Sequence, residues 1–276
     1  MRNPEFKATM KAAAAVLKQP MRIQPSTRIR VGVDLGTAYT VLVVVNDDGA
    51  PLAIANTFAD VVRDGIVWDF AGAQKVVREL KDRLEEATGR ELNRGAVTIP
   101  PAVGTSDHRA HRYVIEGAGI ECSAVVDETT AANSVLGIHN GAVVDIGGGT
   151  TGVAILRDGK TIATFDEPTG GIHLSLVISG AFGISLEAAE KRKLKPRLQR
   201  DLLPVVRPTL EKIATIVLDA IGGYDVEHIH LVGGTAAFFG AAGIIAEVTG
   251  RHTTLAPQPM LVTPVGVARW ADPIKQ

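Results

Sequence analysis

The sequence has little cysteine, little net charge and no long apolar run. Cys122 is the one thiol in 276 residues. An intrachain disulfide framework is therefore excluded, and the usage suits a reducing compartment. Cys122 has no evident His partner, so it reads as inert. The formal net charge is −1, which gives no general attraction to nucleic acid or to membrane surfaces. The longest apolar run, residues 236–246, closes at Glu247 and falls short of the roughly 18 residues of a membrane span. The start of the chain has no signal-peptide apolar region or cleavage site, so a cytoplasmic location is expected. The phosphate-loop motif G-x-x-x-x-G-K-[ST] is missing. Gly147-x-Gly149-x-x-Gly152 matches a dinucleotide fingerprint in letters only. That motif has to open a helix, whereas residues 153–156 followed by Asp158-Gly159 read as β.

What is present is an apolar content of 46% and one short pattern written twice, 111 positions apart. The first copy is Val31-Gly-Val-Asp34-Leu-Gly36-Thr37-Ala38-Tyr39-Thr40. The second is Ala142-Val-Val-Asp145-Ile-Gly147-Gly148-Gly149-Thr150-Thr151-Gly152. Each is an apolar β-run, an Asp, a glycine turn with hydroxyls and another apolar β-run. Glycines without Cβ atoms let backbone N–H groups approach an anion. An Asp beside such a turn suits a hydrated Mg²⁺, which prefers a few carboxylates and several waters. Two such hairpins facing each other can grip the phosphates of a nucleotide from both sides.

The rest of the chain alternates strands and helices. Residues 30–45 and 50–57 read as strands around the turn 46–49. A helix follows Asp69 and stops at Gly89. Residues 96–99 and 124–127 read as strands, and 106–118 and 129–137 as helices. Strands 152–157 and 160–165 flank Asp158-Gly159. Helices are expected over about 171–182, 185–194 and 204–221. A strand at 227–232 leads through Gly233-Gly234 to a helix over 236–249. The order of hairpin, sheet and helices thus appears twice, which predicts two related α/β lobes and a cleft.

Residues 1–28 differ. They carry Arg2, Lys7, Lys11, Lys18, Arg22 and Arg28 against the single acid Glu5. Phe6, Met10, Ala13, Ala14 and Leu17 share one helical face, and Pro20 and Pro25 then break the pattern. This is a short amphipathic helix and a linker. Its apolar face either packs on the protein's own lobe or docks a partner.

Three more groups of residues carry chemistry. His230-Leu-Val-Gly233-Gly234-Thr235 is a strand ending in a Gly pair, where bare backbone can receive a base or ribose; the bland alternative is a tight βα turn. Asp127-Glu128-Thr129-Thr130 lies where a strand becomes a helix. Glu128 can orient a water toward a γ-phosphate, or it is an acid favoured by the helix dipole. His108 with His111, and His228 with His230, are pairs lacking a third metal ligand.

Together these residues resemble the actin-like ATPase superfamily of sugar kinases, DnaK-type chaperones and bacterial actins. Residues 34–40 and 145–151 resemble its two phosphate motifs. Residues 128–132 and 264–268 resemble its connecting motifs, and 231–235 its adenosine motif. Val61-Val-Arg-Asp-Gly-Ile-Val-Trp-Asp-Phe70 and Glu167-Pro-Thr-Gly-Gly-Ile-His-Leu-Ser175 look like the EutJ family, chaperone-like proteins of ethanolamine utilisation and bacterial microcompartments. The resemblance implies an α/β, actin-like ATPase fold with two related lobes around a nucleotide cleft. The division expected is an extension at 1–28, a first lobe at 29–140 to which 263–276 returns, and a second lobe at 141–262.

The resemblance also implies ATP and Mg²⁺ as cofactors. Asp34 and Asp145 would hold the metal through water. Gly36, Thr37, Ala38, Tyr39, Thr40, Gly147, Gly148, Gly149, Thr150 and Thr151 would hold phosphates, and Glu190, Lys193, Gly233, Gly234 and Thr235 the nucleoside. Glu128, with Asp34, Asp145 and Thr150, would serve a weak ATPase. The partner expected is a client enzyme such as ethanolamine ammonia-lyase, in the cytoplasm or a microcompartment. A filament or scaffold, or a small-molecule kinase, are the alternatives.

Some positions depart from the pattern. After Lys193 the chain goes almost directly to the helix expected at 204, where larger relatives insert a subdomain, so the outer part of the second lobe is reduced. Ala237 stands where DnaK-type chaperones have an adenine-stacking Arg. Thr129 replaces a usual Pro, and no counterpart of the chaperones' catalytic Lys is evident.

Overall fold

The computed structural model describes residues 4–63, 65–101 and 105–274. Arg2, Asp64 and the last two residues of the expected returning segment lie outside them. Two five-stranded sheets dominate. The first comprises β1 (Ile29–Leu35), β2 (Tyr39–Asn46), β3 (Pro51–Phe58), β6 (Arg94–Ile99) and β7 (Glu121–Asp127), in the order β3-β2-β1-β6-β7. A two-stranded hairpin, β4 (Val62–Arg63) with β5 (Ile66–Val67), leaves the end of β3. The second sheet comprises β8 (Gly141–Ile146), β9 (Thr151–Arg157), β10 (Lys160–Glu167), β11 (His228–Val232) and β12 (His252–Leu255). Its order, β10-β9-β8-β11-β12, repeats the first.

The repeat extends to register. Asp34 lies opposite Val41, and Asp145 opposite Gly152. In the turns, Gly36 N–H donates to Tyr39 O at 3.1 Å, and Gly147 N–H to Thr150 O at 3.0 Å. The apolar runs on either side of each turn form continuous buried strands because both faces of each sheet are covered. Val31, Val33 and Leu35 face an outer core with α2 (Phe70–Thr88) and α3 (Thr105–Gly117). Val144, Ile146 and Val153 face one with α5 (Gly171–Phe182), α7 (Pro196–Ile221) and α8 (Ala241–Thr249).

The inner faces share a third core. It joins Val41, Val43 and Ile54 to Val143, Leu156 and Val232 through α4 (Glu128–Leu136) and α9 (Pro259–Trp270). These two helices cross at Ala131 and Gly266. A Cβ on Gly266 would strike the Ala131 carbonyl, so the backbones meet without a side chain between them.

The N-terminal helix α1 (Pro4–Lys18) belongs to this inner core. Phe6, Met10, Ala13 and Val16 are buried there beside β3. The docking alternative fails for this reason: its anchors Phe6, Met10 and Ala13 are already used. The linker is also tied down. Met21 N–H donates to Leu52 O at 3.0 Å and Ile23 N–H to Thr88 O at 3.0 Å. Arg90 holds the Gln24 and Thr27 carbonyls at 2.9 and 2.7 Å.

Helix α2 runs between the expected stops. Asp69 caps it by accepting from Gly72 N–H at 2.9 Å, and Gly89 ends it at φ 71°. Two helix starts differ from the sequence reading. Helix α7 starts at Pro196, after α6 (Leu186–Lys193), and runs through Pro204 and Pro208. Both prolines are exposed, so water can take the carbonyls they leave unbonded. The Gly233-Gly234 pair opens only a 3₁₀ turn, Thr235–Ala237. Gly240 at φ 86° separates it from α8, which begins at Ala241. β12 and α9 were not assigned from sequence.

Candidate functional site

The two repeated turns face each other across a cavity of about 360 Å³. Its lining includes Asp34, Gly36, Thr37, Ala38 and Tyr39 from the first hairpin, and Asp145, Gly147, Gly148, Gly149 and Thr150 from the second. Glu128, Glu190, Lys193, Gly233, Gly234 and Thr235 complete it among the residues singled out in the sequence. The turns touch. A Cβ on Gly149 would strike the Thr37 hydroxyl, and one on Gly148 would lie 2.8 Å from the Ala38 methyl.

Thr40 and Thr151 are not part of the lining. Thr151 is fully buried and donates to Thr169 O at 2.6 Å, fastening the turn to the end of β10. Thr40 is its counterpart in the first hairpin and is also fully buried. Both side chains point away from the cavity because they alternate with the lining positions along their strands.

Helix α5 sets the polarity of the second turn. Its first N–H groups, of Gly171 and Ile172, donate to the Gly147 and Gly148 carbonyls at 3.0 and 2.7 Å. Thr235 Oγ1 also donates to Gly147 O, at 2.7 Å. The carbonyls are thus occupied from behind. Among the described residues, the N–H groups of Thr37, Ala38, Gly148 and Gly149 have no intramolecular acceptor. Unpaired amides gathered in a cavity suit an anion with several oxygens.

The carboxylates have the opposite need. Thr98 Oγ1 donates to Asp34 Oδ1 at 2.6 Å, and Thr263 Oγ1 to Asp145 Oδ2 at 2.5 Å. Among the described residues, no cationic side chain is paired with either carboxylate. Removal from bulk water pushes Asp34 up to about 7, against the Thr98 bond, with the Asp145 charge adding to the rise. Removal from water likewise pushes Asp145 up to about 6, against the Thr263 bond. Glu128 is raised well above the usual carboxylate range by burial, then by Asp145 and Asp34.

A group whose folded pKa is raised is most favourable to folding when protonated. For Asp34 and Asp145 that contribution is complete below about pH 4 and is lost as pH rises through 6 to 7. Without ligand, the melting temperature of the wild type should therefore fall more steeply from pH 5 to pH 8 than that of Asp34→Asn/Asp145→Asn. Parallel curves would show that the two carboxylates are not held in this way.

Glu128 is not the cap of its helix. Asp127 performs that role, accepting from Thr130 N–H at 2.8 Å and from Thr129 Oγ1 at 2.6 Å. The Thr at 129 thus helps the cap, and Glu128 is left to face the cavity. On the opposite wall Lys193 Nζ donates to Glu190 Oε2 at 2.7 Å and to Gly171 O at 2.8 Å. Ser175 Oγ donates to the same Glu190 oxygen at 2.5 Å. Both Glu190 and Lys193 are buried, and desolvation lowers the Lys193 pKa against the pull of Glu190. Gly233 sits at φ 89°, where a side chain would also strike Asp145.

Sequence reasoning missed Thr98 and Thr263, the hydroxyl partners of the two Asp residues. It also missed the apolar wall of Leu174, Leu194, Pro196, Phe238 and Met260. His230 stacks on His228 at 4.3 Å and His252 meets His228 edge to face at 4.2 Å, and no group of metal-competent residues is found among the described residues. Cys122 is half-buried, donates to Ala124 O at 3.4 Å, and has its pKa raised by desolvation.

Comparison with known proteins agrees with this geometry. The family model described as type IV pilus assembly protein PilM matches residues 113–263. Ethanolamine utilization protein EutJ of Escherichia coli K12 is 43% identical over 86% of this chain and 84% of its own. The crystal structure of EutJ from Carboxydothermus hydrogenoformans superposes with a TM-score of 0.89 at 42% identity, covering 96% of this chain and 99% of that one. MreB5 of Spiroplasma citri bound to AMPPNP shares the fold, with a TM-score of 0.70 at 18% identity over 88% of this chain and 95% of its own. With relatives this similar along nearly its whole length, the chain belongs to the EutJ family of ethanolamine utilization proteins, built on the actin-like ATPase fold.

Proposed function

We propose that the cavity binds ATP with Mg²⁺ and that the protein is a weakly hydrolysing, nucleotide-driven switch acting on a client enzyme of ethanolamine utilisation. The observation that carries this reading is the pair of matched turns. They meet at Gly149 and Thr37, and they line one cavity with four residues whose N–H groups have no acceptor among the described residues, beside the half-buried Asp34 and the buried Asp145. The donor set fits both groups. Amides and hydroxyls suit phosphate oxygens, and Asp34 and Asp145, raised chiefly by removal from water, suit a hydrated Mg²⁺. When bound, the metal would neutralise phosphate charge.

The chain's own residues then divide the work. Thr37, Ala38, Gly148, Gly149 and Thr150 hold the phosphates. Glu190 has one carboxylate oxygen spent on Lys193 and Ser175, and it presents the other to a sugar hydroxyl. Gly233, Gly234 and Thr235 lie against the nucleoside beside the apolar wall. Glu128 orients the attacking water. In this reading the first lobe is 29–140 with the returning 263–276, and the second is 141–262. A nucleotide held by both moves their equilibrium through its different affinity for open and closed states. A client that distinguishes those states is bound or released accordingly. Its relatives' role in ethanolamine utilization points to a cytoplasmic or microcompartment enzyme as the client, with ethanolamine ammonia-lyase one such enzyme.

Glu128→Gln separates binding from turnover. The variant keeps the size and loses the charge. Phosphate release from Mg-ATP should fall by about tenfold or more while ATP affinity stays within a few-fold, the signature of an interaction made in the transition state. Equal turnover by both proteins would remove Glu128 from the reaction.

A further inference from the structure

One end of the cavity is built differently from the end that holds the carboxylates. Leu194, Pro196, Ala237, Phe238 and Met260 line it without a side-chain N–H, O–H or carbonyl. Gln199 ties the end of α6 to the turn after β11, so Leu194 and Phe238 belong to one wall. Met260 lies beside the glycine pair: a Cβ on Gly234 would be 3.7 Å from its Cγ. This end opens to water. Leu194 is 47% exposed, and Pro196, Gly234 and Ala237 are exposed too, whereas Asp145 and Thr150 at the other end are buried.

The polar groups near this end are engaged by the protein itself. Gln199 Nε2 donates to Lys193 O at 2.9 Å, and its Oε1 accepts Phe239 N–H at 3.0 Å. One end of the amide meets a carbonyl and the other an N–H, so the group cannot turn to a ligand without losing both bonds. The N–H groups of Leu194 and Phe238 donate to Glu190 O at 3.1 Å and Thr235 O at 3.0 Å. Thr235 Oγ1 is spent on Gly147 O, and Lys193 on Glu190 and Gly171. The second Glu190 oxygen goes to the sugar. Tyr39 enters from the first lobe, and burial, then the Glu190 charge, raise its pKa, which places its hydroxyl on the sugar's side.

Resting on the nucleotide reading above, we infer that the cavity takes purine nucleoside triphosphates without distinguishing adenine from guanine. With the phosphates on the two turns, the faces of the base lie against Leu194, Phe238 and Met260. Its polar edge points through the open rim into water.

Two physical differences separate such a slot from a base-reading one. A site that hydrogen-bonds a substrate group rejects an analogue lacking it by about 10⁴–10⁵, because its own polar groups are then left unpaired. Here the protein's groups are paired before any base arrives, so neither purine leaves one stranded. An enclosed apolar slot would penalise the extra amino group of guanine through lost hydration. At an exposed rim that hydration is kept, and exchanging an amino group for a carbonyl costs little. The two purines also cover similar apolar area, whereas a pyrimidine covers less. A substituent on the edge, such as a methyl group on the 6-amino nitrogen of adenine, projects into water as well.

Titration calorimetry of the full chain with Mg-ATP, Mg-GTP, Mg-CTP and magnesium tripolyphosphate tests this. Mg-GTP and the Mg complex of N6-methyl-ATP should bind within about threefold of Mg-ATP, since no paired group is lost in the exchange. Mg-CTP should bind about tenfold more weakly, as its single ring covers less apolar surface, and tripolyphosphate more weakly still. Leu194→Ala should weaken ATP and GTP by the same factor and leave tripolyphosphate unchanged. Gln199→Leu should leave the ratio of ATP to GTP affinity where it is in the wild type. A GTP affinity more than about 30-fold below that of ATP would mean that the edge is read, and so would a ratio that moves in Gln199→Leu. Either result overturns the inference and leaves ATP binding standing. Equal binding of ATP and tripolyphosphate would mean that the slot holds no base, which also overturns it. Absence of binding by every nucleotide would remove the nucleotide reading and the inference together.

Discussion

Mg-ATP is expected to raise the melting temperature by about 5 °C or more when it is present near 100 times its Kd. Ligand at that level adds about 2.7 kcal/mol by mass action, and a domain of this size gains about 2–4 °C per kcal/mol. The gain should depend on Asp34 and Asp145 together with Mg²⁺. Each carboxylate is held by a single hydroxyl and pushed upward by loss of water. Asp34→Ala or Asp145→Ala should remove most of the ATP response and leave a folded protein without ligand. The unliganded variants should be no less stable than the wild type near pH 8, because each loses a carboxylate that is costly to ionise. ATP stabilisation that persists undiminished in both variants would falsify the phosphate-clasp reading.

The second large effect concerns the N-terminal helix. Phe6 is 2% exposed and Met10 fully buried, in the same core as Ile54, Val265 and Ala268. Truncating a buried Phe typically costs about 3–5 kcal/mol, and a buried Met about 2–5. Against a total stability of about 5–15 kcal/mol, Phe6→Ala alone should lower the melting temperature by about 6 °C or more. Deletion of residues 1–24 should do worse, since it also strips the bonds from Met21 and Ile23 to Leu52 and Thr88. Thermal melts of the ligand-free proteins check this. A truncated protein that melts like the wild type would mean that α1 is only an appendage.

Much of the architecture was legible because its signals are local. The Asp69 cap and the Gly89 stop of α2 lie within a turn of the helix they bound. The two Asp-x-Gly turns could be read because each sits between apolar runs of strand length, and 111 positions of offset reproduce even the register. Other features depend on distant contacts. Thr98 lies 64 positions from Asp34, and Thr263 lies 118 from Asp145. Nothing near either Thr marks it as a carboxylate's partner. Pro204 misled because proline favours a first helical turn, whereas here it rides on the wet face of a helix already begun at Pro196. The helical face of residues 4–18 was legible, but not what covers it. That is decided by the inner surface of the first sheet, which no pattern within the helix describes.

The crossing of α4 and α9 limits how the two sheets can move. Gly266 meets the Ala131 carbonyl with no side chain as a spacer. Two rods in backbone contact there can turn about that point as far as the neighbouring bonds allow, from Arg269 to Ser134 O at 2.9 Å and from Ser134 Oγ to Gly266 O at 3.3 Å. Sliding along the axis of α9 would carry the residues one turn away on the same face, Val262 or Trp270, into the carbonyl and require the rods to part. The contact therefore acts as a fulcrum. A small change of angle there becomes a larger displacement at the rim of the cavity, in proportion to the distance from the pivot. A glycine at this crossing thereby favours turning over sliding between the two helices.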